Sequence, residues 1–280
     1  MSNLLGFVIP FKPKAESANW ELDLLLLKRT VATILRNNST NIYVYVICSN
    51  LIDLKIPDNR LKILSYPFSV FPITELADFE SLLSRHYDSL YLKRHLDKSR
   101  KIMWGCKLAK DDKCNYIMNV DSDDLVSKKL INFLLTQDIG LPGWYIPKGY
   151  VYHEKARRLF KVPKNMHFLN GSTHIINHNL INVPDNDTKN WNEINFFTDH
   201  GYLKERLKIN KGIELIPISF FAIIYCRNGI SNISEPHVAS FSKIKNWAKF
   251  IWTYKMISPK IIDDFNLNYE SVNLKTLLQN

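Results

Sequence analysis

Three carboxylates in four residues, Asp121-Ser122-Asp123-Asp124, follow directly on the mainly apolar stretch Tyr116-Ile117-Met118-Asn119-Val120. A run of that length and composition reads as a buried strand. Acids crowded at its end would repel one another unless a cation or a charged ligand neutralised them. The fold must therefore bring an interior strand to a ligand-accessible rim, and in open α/β sheets that rim is the carboxyl end of the strands. The pattern points to a metal-assisted phosphate site. The alternative is a solvated acidic turn, because Asp and Ser favour turns and helix starts and Ser127 opens a helical pattern over residues 128–135.

Strand-like and helix-like patterns alternate along the chain, which predicts an α/β fold with a central, mostly parallel sheet flanked by helices. Residues 5–9 read as a first strand ended by Pro10, residues 20–35 as a long amphipathic helix, residues 42–48 as a second strand, and residues 61–64 as a third. Helical patterns follow at about 76–95 and 98–110, the latter feeding the strand that ends in the aspartates. The loops Pro10-Phe11-Lys12, Ser49-Asn50 and the aspartate cluster would then share one rim. Downstream, residues 143–147 read as a strand, 170–176 as a turn entering a strand, and 216–225 as one buried strand before a polar turn at 227–232.

At 280 residues and 46% hydrophobic, the chain can bury a substantial core. No linker, low-complexity tract or repeat divides it, so one domain over residues 1–236 with a C-terminal helical extension over 237–280 is expected. The formal net charge of +10 suits nucleic acid, an anionic membrane surface or a nucleotide-sugar substrate and selects none of them. No nucleic-acid-binding motif and no stacking pattern of aromatics is recognisable, so no nucleic-acid partner is expected. Cys48, Cys106, Cys114 and Cys226 form neither a C-x-x-C pair nor a zinc spacing. With no signal-peptide pattern and no run approaching about 18 apolar residues, a cytoplasmic, reduced protein is expected.

A short strand ending in Ile9-Pro10, a second ending at Cys48-Ser49, the basic stretch Asp97-Lys98-Ser99-Arg100-Lys101 on a helix with Gly105 and Ala109, and then Asn119-Val120-Asp121-Ser122-Asp123-Asp124 follow in that order. This order resembles the nucleotide-sugar half of GT-A glycosyltransferases, which have a Rossmann-like fold. It is most similar to the family 2 type and to bacterial polysaccharide or lipooligosaccharide transferases. The resemblance covers about residues 1–135 and leaves 136–236 as an acceptor half.

The resemblance implies a nucleoside diphosphate sugar donor, with a UDP-sugar favoured, and a D-x-D motif that holds Mn²⁺ or Mg²⁺. Asp123 would be a direct metal ligand and Asp121 would contact ribose or metal, with Ser122 between them at the nucleotide. Physical need agrees: a divalent cation neutralises a departing diphosphate without a proton transfer, and these ions prefer oxygen ligands. Pro10, Phe11, Lys12 and Ser49 stand where such enzymes hold base and ribose, and Lys98 and Lys101 would supply cationic contacts. Gly171, beside Ser172, would form a small-residue turn near the donor sugar, and His237 would complete the metal site. Plainer readings stay open: a strand-ending proline, a solvated basic helix start, a hairpin turn and an ordinary loop histidine.

Inverting transfer also needs a base for the acceptor hydroxyl. Family 2-like enzymes place an acidic pair at a helix start after the acceptor strand, and the matching stretch here is Phe196-Phe197-Thr198-Asp199-His200-Gly201-Tyr202. Asp199 is the candidate base and Glu193 its backup. Thr198 departs from the pair, and an Asp before a helix is also an ordinary N-cap. His200 would orient the acceptor or cap the turn.

Residues 241–262 combine an apolar helical face with Lys243, Lys245, Lys249, Lys255 and Lys260 and contain no acid. That suits a helix lying on an anionic membrane surface, with a lipid-linked acceptor and a peripheral location on the inner face of the cytoplasmic membrane. It equally suits a helix packed on the domain. The expected activity is metal-dependent glycosyl transfer to a hydroxyl of a glycan or lipid-linked glycan. Nucleotidyl transfer at the same metal site and a non-catalytic basic membrane-docking protein are the alternatives, the first lacking the expected Gly-rich phosphate loop.

Overall fold

The computed structural model describes residues 3–69, 71–84, 88–228 and 253–269. The expected α/β architecture is present. Strands β1 (Leu5–Pro10), β2 (Ile42–Cys48) and β3 (Leu61–Ser65) follow one another with helix α1 (Trp20–Leu35) between the first two. Helices α2 (Phe79–Ser84) and α3 (Ser89–Asp111) lead into β4 (Tyr116–Asn119), β5 (Leu125–Val126) and α4 (Lys128–Leu135). The second half contains β6 (Gly143–Tyr145), β7 (Gly149–His153), β8 (Arg158–Val162), α5 (Met166–Leu169) and β9 (His174–Asn177). It continues through α6 (Trp191–Ile194), α7 (Leu203–Lys211), β10 (Ile216–Pro217) and β11 (Ile223–Arg227), and ends with β12 (Tyr254–Lys255) and α8 (Pro259–Phe265).

The main sheet has the order β10-β6-β9-β4-β1-β2-β3, with only β9 running against the rest. After β1, β2 and β3 the chain returns to place β4 on the other side of β1. The strand order thus reverses between β1 and β4, and the crevice at the carboxyl ends of these two strands is the topological switch point.

Alternation along β1 assigns the two faces of this sheet. Leu5, Phe7 and Ile9 join Leu27, Val31 and Ile34 of α1, whereas Val8 meets Ile102, Met103, Cys106 and Ala109 of α3. Two glycines set how closely α3 lies: a Cβ on Gly105 would fall 2.4 Å from Val8 Cγ1, and one on Gly6 would fall 3.0 Å from Ala109 Cβ. This close approach fixes the helix that carries much of the site described below.

Several expectations are corrected. The helical patterns at 76–95 and 98–110 are instead a short α2 and one unbroken α3, whose first turn is capped by the Asp88 side chain accepting from Tyr91 N at 2.7 Å. The apolar run 216–225 is two strands in different sheets. β10 lies at the edge of the main sheet, and Ala222 N bonds to Lys148 O as the chain crosses to β11. β11 belongs to a second sheet, β12-β8-β7-β11-β5, which sequence patterns did not suggest.

The described part of 241–262 is not one amphipathic helix. β12 pairs with β8, and α8 buries Ile261 and Phe265 against Leu125, Tyr150 and Ile224. Asp264 accepts from Ser127 Oγ at 2.8 Å and from Lys129 N at 3.1 Å, and Arg36 donates to the Asp263 and Asp264 carbonyls. Residues 241–252, which carry the rest of the membrane-helix expectation, and the boundary at 236/237 lie outside the described residues. Among those described, no helix is long and apolar enough to cross a membrane.

Gly105→Ala should destabilise the protein by about 1–3 kcal/mol, since the added methyl meets a buried strand side chain. Adding Val8→Ala should recover part of that loss. Urea midpoints would show it; additive losses would mean that α3 and β1 are not limited by this contact.

Candidate functional site

At the switch point lies a cavity of about 360 Å³, within the ordinary range of small-ligand sites. Three walls come from expected places: Pro10-Phe11-Lys12 after β1, Asp121-Ser122-Asp123 after β4, and Lys98 and Lys101 of α3. Because α3 is continuous, Tyr91, His95, Lys98 and Lys101 recur at three- and four-residue steps on its cavity face. Breaking the helical pattern near residue 96 hid the first two.

Cations and acids in the cavity are mostly matched. Lys12 Nζ lies 2.9 Å from Asp23, Lys98 Nζ 2.7 Å from Asp121, Lys101 Nζ 2.6 Å from Asp97, and Arg94 Nε 3.9 Å from Glu16. Burial opposes ionisation of Asp121 and of Lys98, but their mutual attraction outweighs it and keeps both charged. Lys101 is fully buried and also donates to Phe11 O at 2.9 Å, so its charge holds the loop after β1 in place. Asp123 is the lining carboxylate with no matching cation among the described residues. Burial and the neighbouring Asp121 charge push its carboxyl up to about 7.

Asp124 has a different task. It is fully buried, and its Oδ2 accepts from Asn170 Nδ2 at 2.6 Å and from Ser172 Oγ at 2.5 Å. Ser172 Oγ in turn accepts from Asp121 N at 2.8 Å. The turn over 170–172 is thereby laced to the acidic loop, which sets Gly171 against the cavity, where a Cβ would stand 3.3 Å from Asp121 Oδ2. Burial, then Asp123 and Asp121, push the Asp124 carboxyl well up.

Of the expected residues, Pro10, Phe11, Lys12, Lys98, Lys101, Asp121, Ser122, Asp123 and Gly171 meet around this cavity. Ser49 does not, because β2 stands one strand away from the switch point. Asp199 does not line it either: its carboxylate lies 3.6 Å from Arg206, while its neighbours Thr198 and His200 do line it. Glu193 bonds instead with Thr188 and Asn190. His237 lies outside the described residues. The sequence reading missed Glu16, Asp23 and Asp97 as lining acids; Asp97, four residues before Lys101 on a helix, was the one with a visible signal.

Among the described residues no group of three or more His, Cys, Asp or Glu side chains is arranged to hold a metal ion. Asp121 and Asp123 nevertheless put two carboxylates on one cavity, and Mg²⁺ is commonly held by one or two carboxylates plus phosphates and water. The crowding that raises Asp123 is what a bound cation would relieve, so the donor set fits such an ion.

No family model matches the chain, and no curated protein matches it. Among solved structures, it is similar to TarS of S. aureus at 12% identity and a TM-score of 0.40, over 80% of this chain and 37% of that one. The chain thus spans little more than a third of TarS. It is also similar to a protein from Desulfovibrio desulfuricans G20 with a provisional assignment as a nucleotide-diphospho-sugar transferase, at 9% identity and a TM-score of 0.40, over 89% of this chain and 95% of that one.

A carboxyl whose pKa is raised on folding binds its proton more tightly in the native state, so its ionisation costs stability as pH rises through the interval from about 4 to 7. Asp123→Asn should therefore be more stable than wild type above that interval, by up to about 4 kcal/mol, with the difference vanishing below it. Thermal melts across pH test this; a difference independent of pH would refute it. Mn²⁺ should narrow the gap by stabilising wild type alone.

Proposed function

We propose that this protein is a glycosyltransferase that moves a sugar from a nucleoside diphosphate sugar, with a UDP-sugar favoured, to a hydroxyl of a glycan or lipid-linked glycan. The observation that carries this reading is the joint placement of Asp121, Asp123, Lys12 and Lys98 around one cavity at the switch point of the sheet. Such crevices suit nucleotides, and this one combines oxygen donors for a divalent cation with amines for phosphate oxygens. With four lining cations facing five carboxylates, the cavity has no surplus positive charge for a diphosphate. Asp121 and Asp123 would hold Mg²⁺ or Mn²⁺, which would supply that surplus and offset the charge of the leaving diphosphate.

Lys98 and Lys12 then have distinct uses. Lys98 already holds Asp121, so it stands where ligand oxygens and the acidic loop meet. Lys12, partly exposed and anchored by Asp23, faces the cavity from the loop after β1 and reaches the nucleotide side. Gly171 keeps the wall beside Asp121 flat enough for the donor sugar. The reaction is a single inverting displacement, with the acceptor entering from the side of Gly171 and His200. The lysine-rich stretch over 241–252 suits contact with an anionic membrane that presents a lipid-linked acceptor.

A thermal-shift panel of UDP, GDP, CDP and their common sugar conjugates, with and without Mn²⁺, tests the donor reading. A ligand at about 100 times its dissociation constant should add roughly 2.7 kcal/mol of stability. One nucleotide series should stabilise wild type in a metal-dependent way, and Asp123→Asn should lose the response. Equal melting of wild type with every nucleotide would overturn the proposal.

A further inference from the structure

Inverting transfer requires a proton acceptor near the reacting hydroxyl, and the lining carboxylates are otherwise engaged: Asp23, Asp97, Asp121 and Glu16 face cations, and Asp123 is assigned to the metal. Thr198 spends its hydroxyl on Ser99 Oγ at 2.8 Å. Asp199 turns toward Arg206, which also donates to the Asp199 and Phe196 carbonyls and to Asn195 Oδ1. The carboxylate that the motif resemblance favours is thus built into a local brace.

His200, one residue on, is differently placed. It lines the cavity, and its Nδ1 lies 2.6 Å from the His167 carbonyl oxygen. A carbonyl can only accept, so Nδ1 carries the hydrogen and the neutral ring keeps its lone pair on Nε2. The Cδ2 atom bonded to Nε2 lies 3.6 Å from where a Gly171 Cβ would stand, and that same point is 3.3 Å from Asp121 Oδ2. The imidazole edge that carries Cδ2 therefore faces the glycine wall beside the acidic loop. Burial, with Lys98 nearby, lowers the His200 pKa against the opposing hydrogen bond to the His167 carbonyl.

The surface beside this edge suits a sugar. Phe168 and Tyr202 are exposed, with ring centroids 6.1 Å apart, and Leu169, next to Phe168 in the chain, lines the cavity. Exposed aromatic rings beside a polar cleft offer apolar faces to a pyranose and leave its hydroxyls free to turn inward.

We propose that His200 Nε2 is the proton acceptor of the transfer reaction, an inference that rests on the glycosyltransferase reading above. The acceptor hydroxyl oxygen forms a bond to the anomeric carbon, and the bond from that carbon to the diphosphate oxygen breaks with its electron pair leaving on the diphosphate. The hydroxyl proton passes to Nε2 and afterwards to water. The hydrogen bond from Nδ1 to the His167 carbonyl orients the ring and stabilises the imidazolium formed.

His200→Asn isolates this role, because the Asn amide can still donate to the His167 carbonyl but has no basic nitrogen. The assay is release of nucleoside diphosphate from a UDP-sugar panel with Mn²⁺ and free monosaccharide acceptors, read beside the UDP thermal shift. His200→Asn should keep the UDP shift and the KM for donor while kcat falls about 100-fold or more, as expected for loss of a general base. Asp199→Asn should lose far less, and added imidazole should restore part of the turnover of His200→Ala. A kcat for His200→Asn within about threefold of wild type, or a loss concentrated in Asp199→Asn, would overturn the assignment. Absence of any nucleotide shift in wild type is a different result: it removes the glycosyltransferase reading and this inference with it.

Discussion

The buried Asp124 carboxylate is the constraint on which the site depends. It sits just past the end of β4 and is reached by Asn170 Nδ2 and Ser172 Oγ from the turn before β9, with Cys226 N of β11 at 3.4 Å. β4 and β9 belong to the main sheet and β11 to the second, so one side chain ties the acidic loop to both sheets. A carboxyl group taken out of water is tolerated only when its oxygens are satisfied, and here both have partners. Ser172 Oγ completes the lacing by accepting from Asp121 N. Loosening Asp124 would move Asp121 and Gly171 together, because both are held through the same hydroxyl.

The three acids of one short motif thus have three fates that spacing does not distinguish. Asp121 is matched by Lys98, Asp123 has no matching cation among the described residues, and Asp124 is structural. Sequence reading placed all three at the end of a buried strand, and that strand ends at the cavity. Their division of labour depends on the side from which the turn at 170–172 approaches, and that turn lies more than 40 residues away in the chain.

The same reasoning separates what was readable from what was not. Strands β1, β2 and β4 were readable because each is an apolar run ended by Pro or polar residues. Their loops were expected to share a rim, and two of them do so at the cavity, but order within the sheet decides which loops meet. Ser49 follows a strand that pairs with β1 on the side away from β4. The run 216–225 looked like one strand because every part of it is apolar enough, yet β10 and β11 hydrogen-bond to different sheets. Periodicity reports which residues are buried but cannot report a change of partner. α3 was divided for a related reason: its middle is rich in Lys and Arg, and Lys101 is nonetheless fully buried through its bonds to Phe11 O and Asp97.

The overall charge of the chain is a poor guide to this cavity. The molecule carries a formal +10, yet within the site nearly every amine already has a carboxylate and the unmatched group is an acid. A diphosphate arriving alone would have to compete with Asp121 for Lys98 and with Asp23 for Lys12. Arriving with a divalent cation, it removes the repulsion at Asp123 and leaves those ion pairs intact, since the added charge falls where the protein lacks it. On the glycosyltransferase reading proposed above, cation and nucleotide would bind together, each supplying what the other needs. The arrangement also leaves the neutral imidazole of His200, on the glycine wall, free to deal with a proton rather than a phosphate.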